Sequence, residues 1–235
     1  MTLAQDDLGF AAWKEDNEGG RFSDWLVERA GPYWQEAVGH RFTQELANDS
    51  LPDSVYRRYL IQDYAFVDVL VRVVALAIAY APDMPPKSKL SAFLATVTSE
   101  ENDYFLRSFT ALEVEEAEWQ SAELGQAGAA FREVMLGAAR DGSYEELLAV
   151  LLPAEWCYLT WAQAAGDAAP ERFYLREWIE LHNVPAFEAF VAWLREEMDR
   201  RAAGLTPQRQ AVLAALFRDM MELEVEFFDE AYDED

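Results

Sequence analysis

The chain has 235 residues and carries 44 Asp and Glu against 19 Lys and Arg, a formal net charge of −25 at pH 7, with 51% hydrophobic and 14% aromatic side chains. A surface this acidic repels phosphate backbones and anionic headgroups, so nucleic acid and membrane are excluded as expected partners, while the apolar content suffices for one large core and excludes disorder over most of the length. No apolar run reaches the roughly 18 uncharged residues of a spanning helix, and the opening MTLAQDDLGF lacks the layout of a signal peptide, so a cytoplasmic location is expected. The single cysteine, Cys157, has no internal disulfide partner and reads either as buried filling or as a reactive thiol.

In chain order, residues 1–20 are polar and end in DNEGG, which suggests a flexible or docking arm ahead of one helical domain over 21–235. From Arg21 long segments alternate with breakers: GPYW near Gly31, NDSLPD at 48–53, PDMPP at 82–86, DGS at 141–143, GDAAPE at 166–171 and GLTPQ at 204–208. These breaks predict about six or seven helices of roughly 20 to 28 residues. Asp53 or Ser54 is placed to cap the segment that runs to Tyr80, Ser143 the next long one before Glu145 and Glu146, and Thr206 the last, with Pro207 in its first turn. Val71–Ala79 is the one run compatible with a strand, and its continuity with the preceding helical pattern favours a buried helix. The expected class is all-α, with short links placing successive helices side by side.

Three acids break the apolar pattern. On a helix, Asp63 shares a face with Tyr59, Leu60, Phe66, Val67 and Leu70, and Glu224 with Phe217, Met220, Met221, Phe227 and Phe228. A carboxyl in such surroundings pairs with a cation from elsewhere or takes up a proton, so each is either a structural hydrogen-bonding residue or a ligand contact. Glu155 follows Pro153 in LLAVLLPAEWCYLTWAQ among Leu151, Leu152, Tyr158 and Leu159, and the proline implies a kink or local opening there. The two histidines, His40 and His182, form no Glu-x-x-His pair, and the chain has no glycine-rich phosphate loop, no Gly-x-Ser-x-Gly turn and no cysteine pair for zinc. No cofactor is expected from these patterns.

The order of HRFTQEL at 40–46, LPDSVYRRYLIQDYAFV at 51–67, LLPAEWCYL at 151–159, the Trp178 to His182 stretch and the terminal ELEVEFFDEAY resembles the TenA (thiaminase II) family over about Arg21 to Tyr232. The resemblance implies a haem-oxygenase-like helical bundle acting on pyrimidine fragments of thiamine without metal or haem, as a homo-oligomer, a tetramer. By position, Asp63 matches the aspartate that binds the aminopyrimidine, Phe66 an aromatic beside it, and Glu224 the acid that holds the pyrimidine and moves protons. Phe131 and His182 fall where tyrosines are common, and Tyr158 matches a pocket tyrosine. Ala154 stands where the family has its nucleophilic cysteine, so the chain looks like the branch that lacks it; the resemblance implies a nearby glutamate in its place, and Glu155 immediately follows. That branch hydrolyses aminomethyl or formylaminomethyl pyrimidine to hydroxymethyl pyrimidine in thiamine salvage. The alternatives are a binder or regulator of a pyrimidine or other small molecule, an acidic interaction protein whose inward acids are structural, and an oxidase on the same scaffold.

Overall fold

Helix α1 (Phe10–Asp16) lays Trp13 into the core, where its indole N–H donates to Glu28 at 2.5 Å. A Cβ on Gly20 would come within 2.7 Å of the Trp13 ring, so the second glycine of DNEGG permits this close approach. In this computed structural model, residues 9–140 and 143–233 are described. The first eight residues of the expected arm therefore lie outside the described residues, as do Asp141 and Gly142 of the DGS break.

The described residues form thirteen α-helices, not the six or seven expected, and no strand. The region before the first long helix divides into α2 (Phe22–Arg29), α3 (Pro32–Val38) and α4 (Arg41–Ala47), with Gly31 at φ +61° supplying the first corner. Helix α5 (Asp53–Tyr80) runs its full 28 residues through Val71–Ala79. Its N-cap is Pro52, not Asp53 or Ser54, because the Asp53 carboxylate is engaged by the Arg172 guanidinium at 2.5 Å and the Tyr174 hydroxyl at 2.8 Å. Helix α6 (Met84–Thr96) passes through a π-helical segment, Val97–Glu101, into α7 (Asn102–Ala111). Here Thr98 and Ser99 donate to the carbonyls of Leu94 and Ala95 at 2.8 and 2.6 Å, the back-bonding that loosens an α-helical ladder.

Helices α8 (Glu116–Gln120) and α9 (Gln126–Arg140) lead to α10 (Tyr144–Ala164), which Ser143 caps through the Glu146 amide at 3.4 Å. Helix α10 stays helical through Pro153, so the expected opening there is not a break in the element. After α11 (Phe173–Leu181) and α12 (Pro185–Ala202), Thr206 caps α13 (Pro207–Glu230) through the Arg209 amide at 3.3 Å. Helices α10 and α13 pack on each other, α9 bridges α5 and α13, and α12 covers α10. The core between them is aromatic: Tyr56, Tyr59, Tyr104, Phe42, Phe228 and Trp178 are all fully buried, each contributing roughly 1.5–3 kcal/mol of burial.

Two polar clamps set the helices around the cavity. Glu230, at the end of α13, accepts from the first amides of α9, Gln126 at 2.8 Å and Ala127 at 3.1 Å, where the helix dipole favours an anion. Arg172 binds Asp49, Asp53 and the Leu51 carbonyl, and so fixes the start of α11 to that of α5. Among the described residues no helix is long and apolar enough to cross a membrane.

Candidate active site

A cavity of about 400 Å³ lies between α5, α6 with its π-helical extension, α9, α10, the α11–α12 corner and α13. Asp63, Phe66, Phe131, Glu155, Tyr158, His182 and Glu224, which are far apart in the chain, all line it, with Ala154 beside Glu155. Cys157 is not among the lining residues: it is fully buried in the core, where burial and Glu224 push its thiol well up, which disfavours the thiolate. The acid expected within the kinked region faces the cavity; the thiol two residues on does not.

The π-helical segment presents Glu101, a residue not anticipated from the sequence, to the same cavity. It stands four residues after the buried Val97 and three and four before the buried Tyr104 and Phe105, the same inward-face signal that singled out Asp63. Burial drives all four carboxyls upward: Asp63 to about 7, Glu101 to about 8, Glu224 to about 8, and Glu155 well above its ordinary value. Mutual repulsion adds to this, since Asp63 raises Glu101 and Glu224, and Glu101 followed by Glu224 and Asp63 raises Glu155. Among the described residues no cation is a cause of the shift of any of the four. The tyrosine hydroxyls alone work the other way, Tyr59 lowering Asp63 and Tyr158 lowering Glu224.

Those two hydroxyls are joined at 2.8 Å, so Tyr59, a second residue missed, links the surroundings of Asp63 on α5 to those of Glu224 on α13. In the sequence Tyr59 stands out only as a neighbour of Asp63 on its apolar face. Its hydroxyl partner belongs to α10, and helix periodicity does not disclose contacts between helices. His182 lies at the end of α11 with Nδ1 2.8 Å from the Trp178 carbonyl, and burial lowers it to about 4. A carbonyl only accepts, so Nδ1 carries the proton and Nε2 of the neutral ring is an acceptor. The ring stands 4.9 Å from that of Tyr158 and 5.3 Å from that of Phe187, which also lines the cavity.

Phe66 and Phe131 are 5.3 Å apart between ring centroids and both meet Phe227, forming an apolar wall beside Asp63. On the outer side Phe93 of α6 stacks on Phe190 of α12 at 4.1 Å and 12°, near the exposed Lys89 and Glu100. Flat aromatic walls, a neutral imidazole and proton-bearing carboxyls suit a planar heterocycle with basic nitrogens. Among the described residues no three His, Cys, Asp or Glu side chains are grouped to hold a metal ion.

Residues 27–234 match the TENA/THI-4/PQQC family. The aminopyrimidine aminohydrolase of Halalkalibacterium halodurans is 30% identical over 216 residues, covering 91% of this chain and 96% of that protein. The enzyme of the same name from Helicobacter pylori is 27% identical over 212 residues, covering 89% and 98%. A solved TenA homologue from P. horikoshii superposes with a TM-score of 0.81 at 21% identity over 91% of this chain and 99% of that one. The all-helical architecture is accordingly the haem-oxygenase-like bundle that the resemblance implied. The chain belongs to the TENA/THI-4/PQQC family.

Proposed function

We propose that the protein hydrolyses the exocyclic C–N bond of thiamine-derived aminopyrimidines, converting an aminomethyl or formylaminomethyl pyrimidine to the hydroxymethyl pyrimidine in thiamine salvage. One observation supports this reading: carboxyls that burial raises toward the protonated state, and aromatic rings, from seven helices surround one cavity of about 400 Å³. The relatives named as aminopyrimidine aminohydrolases support it.

Asp63 and Glu224 hold the ring through its amino group and ring nitrogens, Phe66, Phe131 and Tyr158 lie against its faces, and His182 accepts a hydrogen bond. Glu155, next to Ala154, takes a proton from water as its oxygen attacks the methylene carbon. The C–N bond breaks toward nitrogen: the aminomethyl pyrimidine plus water gives the alcohol plus ammonia, and the formylaminomethyl pyrimidine plus water gives the alcohol plus formamide. No step is assigned to a cofactor or to Cys157. In the expected N-terminal arm the described residues 9–20 dock on the domain over 21–235 through Trp13, and the protein works in the cytoplasm as a homotetramer.

Ammonia release from the aminomethyl pyrimidine, followed with the wild-type protein and Glu224→Gln, tests the reading. Turnover by the wild type and its loss in the variant is the expected result. Tight pyrimidine binding without turnover in the wild type would make the protein a binder.

A further inference from the structure

Glu155 is 8% exposed, lines the cavity, and has no hydrogen-bond or ion-pair partner among the described residues. A buried carboxyl without a cation must share or hold a proton, so its nearest ionisable neighbours decide what it does. From α5 it faces Asp63, from α6 the exposed Lys89, from the π-helical segment Glu101 with Glu100 outside it, from α11 the neutral His182, and from α13 Glu224; Tyr158 shares its own helix. Of these charged groups Glu101 acts on it most strongly. The five-residue π segment gives Glu101 its place, and such a segment inside an α-helix commonly marks a functional site.

We propose that Glu101 is the proton partner of Glu155 across the cavity, delivering a proton to the departing amine while Glu155 takes one from the attacking water. This rests on the hydrolase reading above. In the step, the water oxygen forms the C–O bond and gives a proton to the Glu155 carboxylate. The C–N electron pair goes to nitrogen, which takes the proton of the Glu101 carboxylic acid and leaves as ammonia. Transfer of one proton from Glu155 back to Glu101 restores the pair, and no oxidant or reductant takes part. Two carboxyls that repel each other in one cavity lose their protons one at a time, and the singly protonated pair holds an acid and a base at once.

The experiment compares wild type, Glu101→Gln and Glu101→Asp in ammonia release from the aminomethyl pyrimidine across pH, alongside a carbon-13 NMR titration of labelled glutamate side chains assigned with Glu155→Gln. For Glu101→Gln the expected results are a fall in kcat of about 100-fold or more with KM changed only a few-fold, loss of one limb of the pH–rate profile, and a fall of about one unit or more in the Glu155 midpoint. Glu101→Asp should restore the limb in part. An active wild type with kcat and pH profile unchanged in Glu101→Gln overturns the proposal and leaves the hydrolase reading standing. An unmoved Glu155 midpoint overturns the pairing whatever the rates. A wild type that releases no ammonia removes the hydrolase reading and the catalytic step together, an outcome visible before any variant is made.

Discussion

Glu197 on α12 and Glu224 on α13 are each 4% exposed, yet their surroundings are opposite. Glu197 is held by Arg200 and by Arg201 at 2.9 Å, both from its own helix, at the i+3 and i+4 positions where oppositely charged side chains meet. Glu224 has Phe217, Met220, Phe227 and Phe228 around it, no cation, and a cavity in front. Glu146 repeats the first pattern, bound by Arg209 at 2.7 Å, and Asp63 repeats the second. Burial alone therefore does not separate an ion-paired acid from one raised toward its protonated form; the cation beside it does.

The largest test of this contrast is Glu224→Gln, which keeps the shape and removes the titration. Steady-state assays should show kcat reduced about 100- to 10,000-fold, the range for loss of a positioned proton-transfer group, and full retention would erase the distinction. Glu197→Gln should leave the rate near that of wild type and lower stability by about 2 kcal/mol in urea unfolding, because it weakens charged hydrogen bonds to two arginines. A rate loss there with stability intact would reverse the assignment of the two acids.

Stability against pH sharpens the same comparison. An acid whose folded-state midpoint is raised favours the fold while it is protonated. For Glu224 that contribution is complete below its ordinary 4.5 and is lost as pH rises toward about 8. Thermal melts should find Glu224→Gln more stable than wild type at pH 8, with the gap closing toward pH 4.5; a gap independent of pH would mean that the buried charge is not its origin. The smallest effect belongs to Cys157→Ala, expected within about twofold of wild-type kcat because the thiol is fully buried away from the cavity. A large loss would move the chemistry from the carboxyls to sulfur.

Much of this was legible in the residues, for identifiable reasons. Helices α5, α10 and α13 are long enough for their periodicity to show, and Ser143 and Thr206 announce two of the starts. The short helices were hidden because the breaks at Leu112–Glu115 and Ser121–Gly125 contain no proline and only one glycine. Asp63 and Glu224 stand out against unbroken apolar faces. Glu101 sits in TVTSEEND, where polar neighbours mask a face visible only through Val97, Tyr104 and Phe105. The direction of Cys157 was open because one helical residue is about 100° of rotation, so only the packed bundle decides between Glu155 and the thiol.

The stack of Phe93 on Phe190 joins α6 to α12 at the cavity wall. Separating such a ring pair costs about 0.5–1.5 kcal/mol, so on the order of one molecule in ten has the two rings apart at any instant. Side-chain rearrangements on this scale take far less than a millisecond, whereas ordinary turnover takes milliseconds to a second. Breaks in this stretch of wall are therefore brief relative to bond breaking.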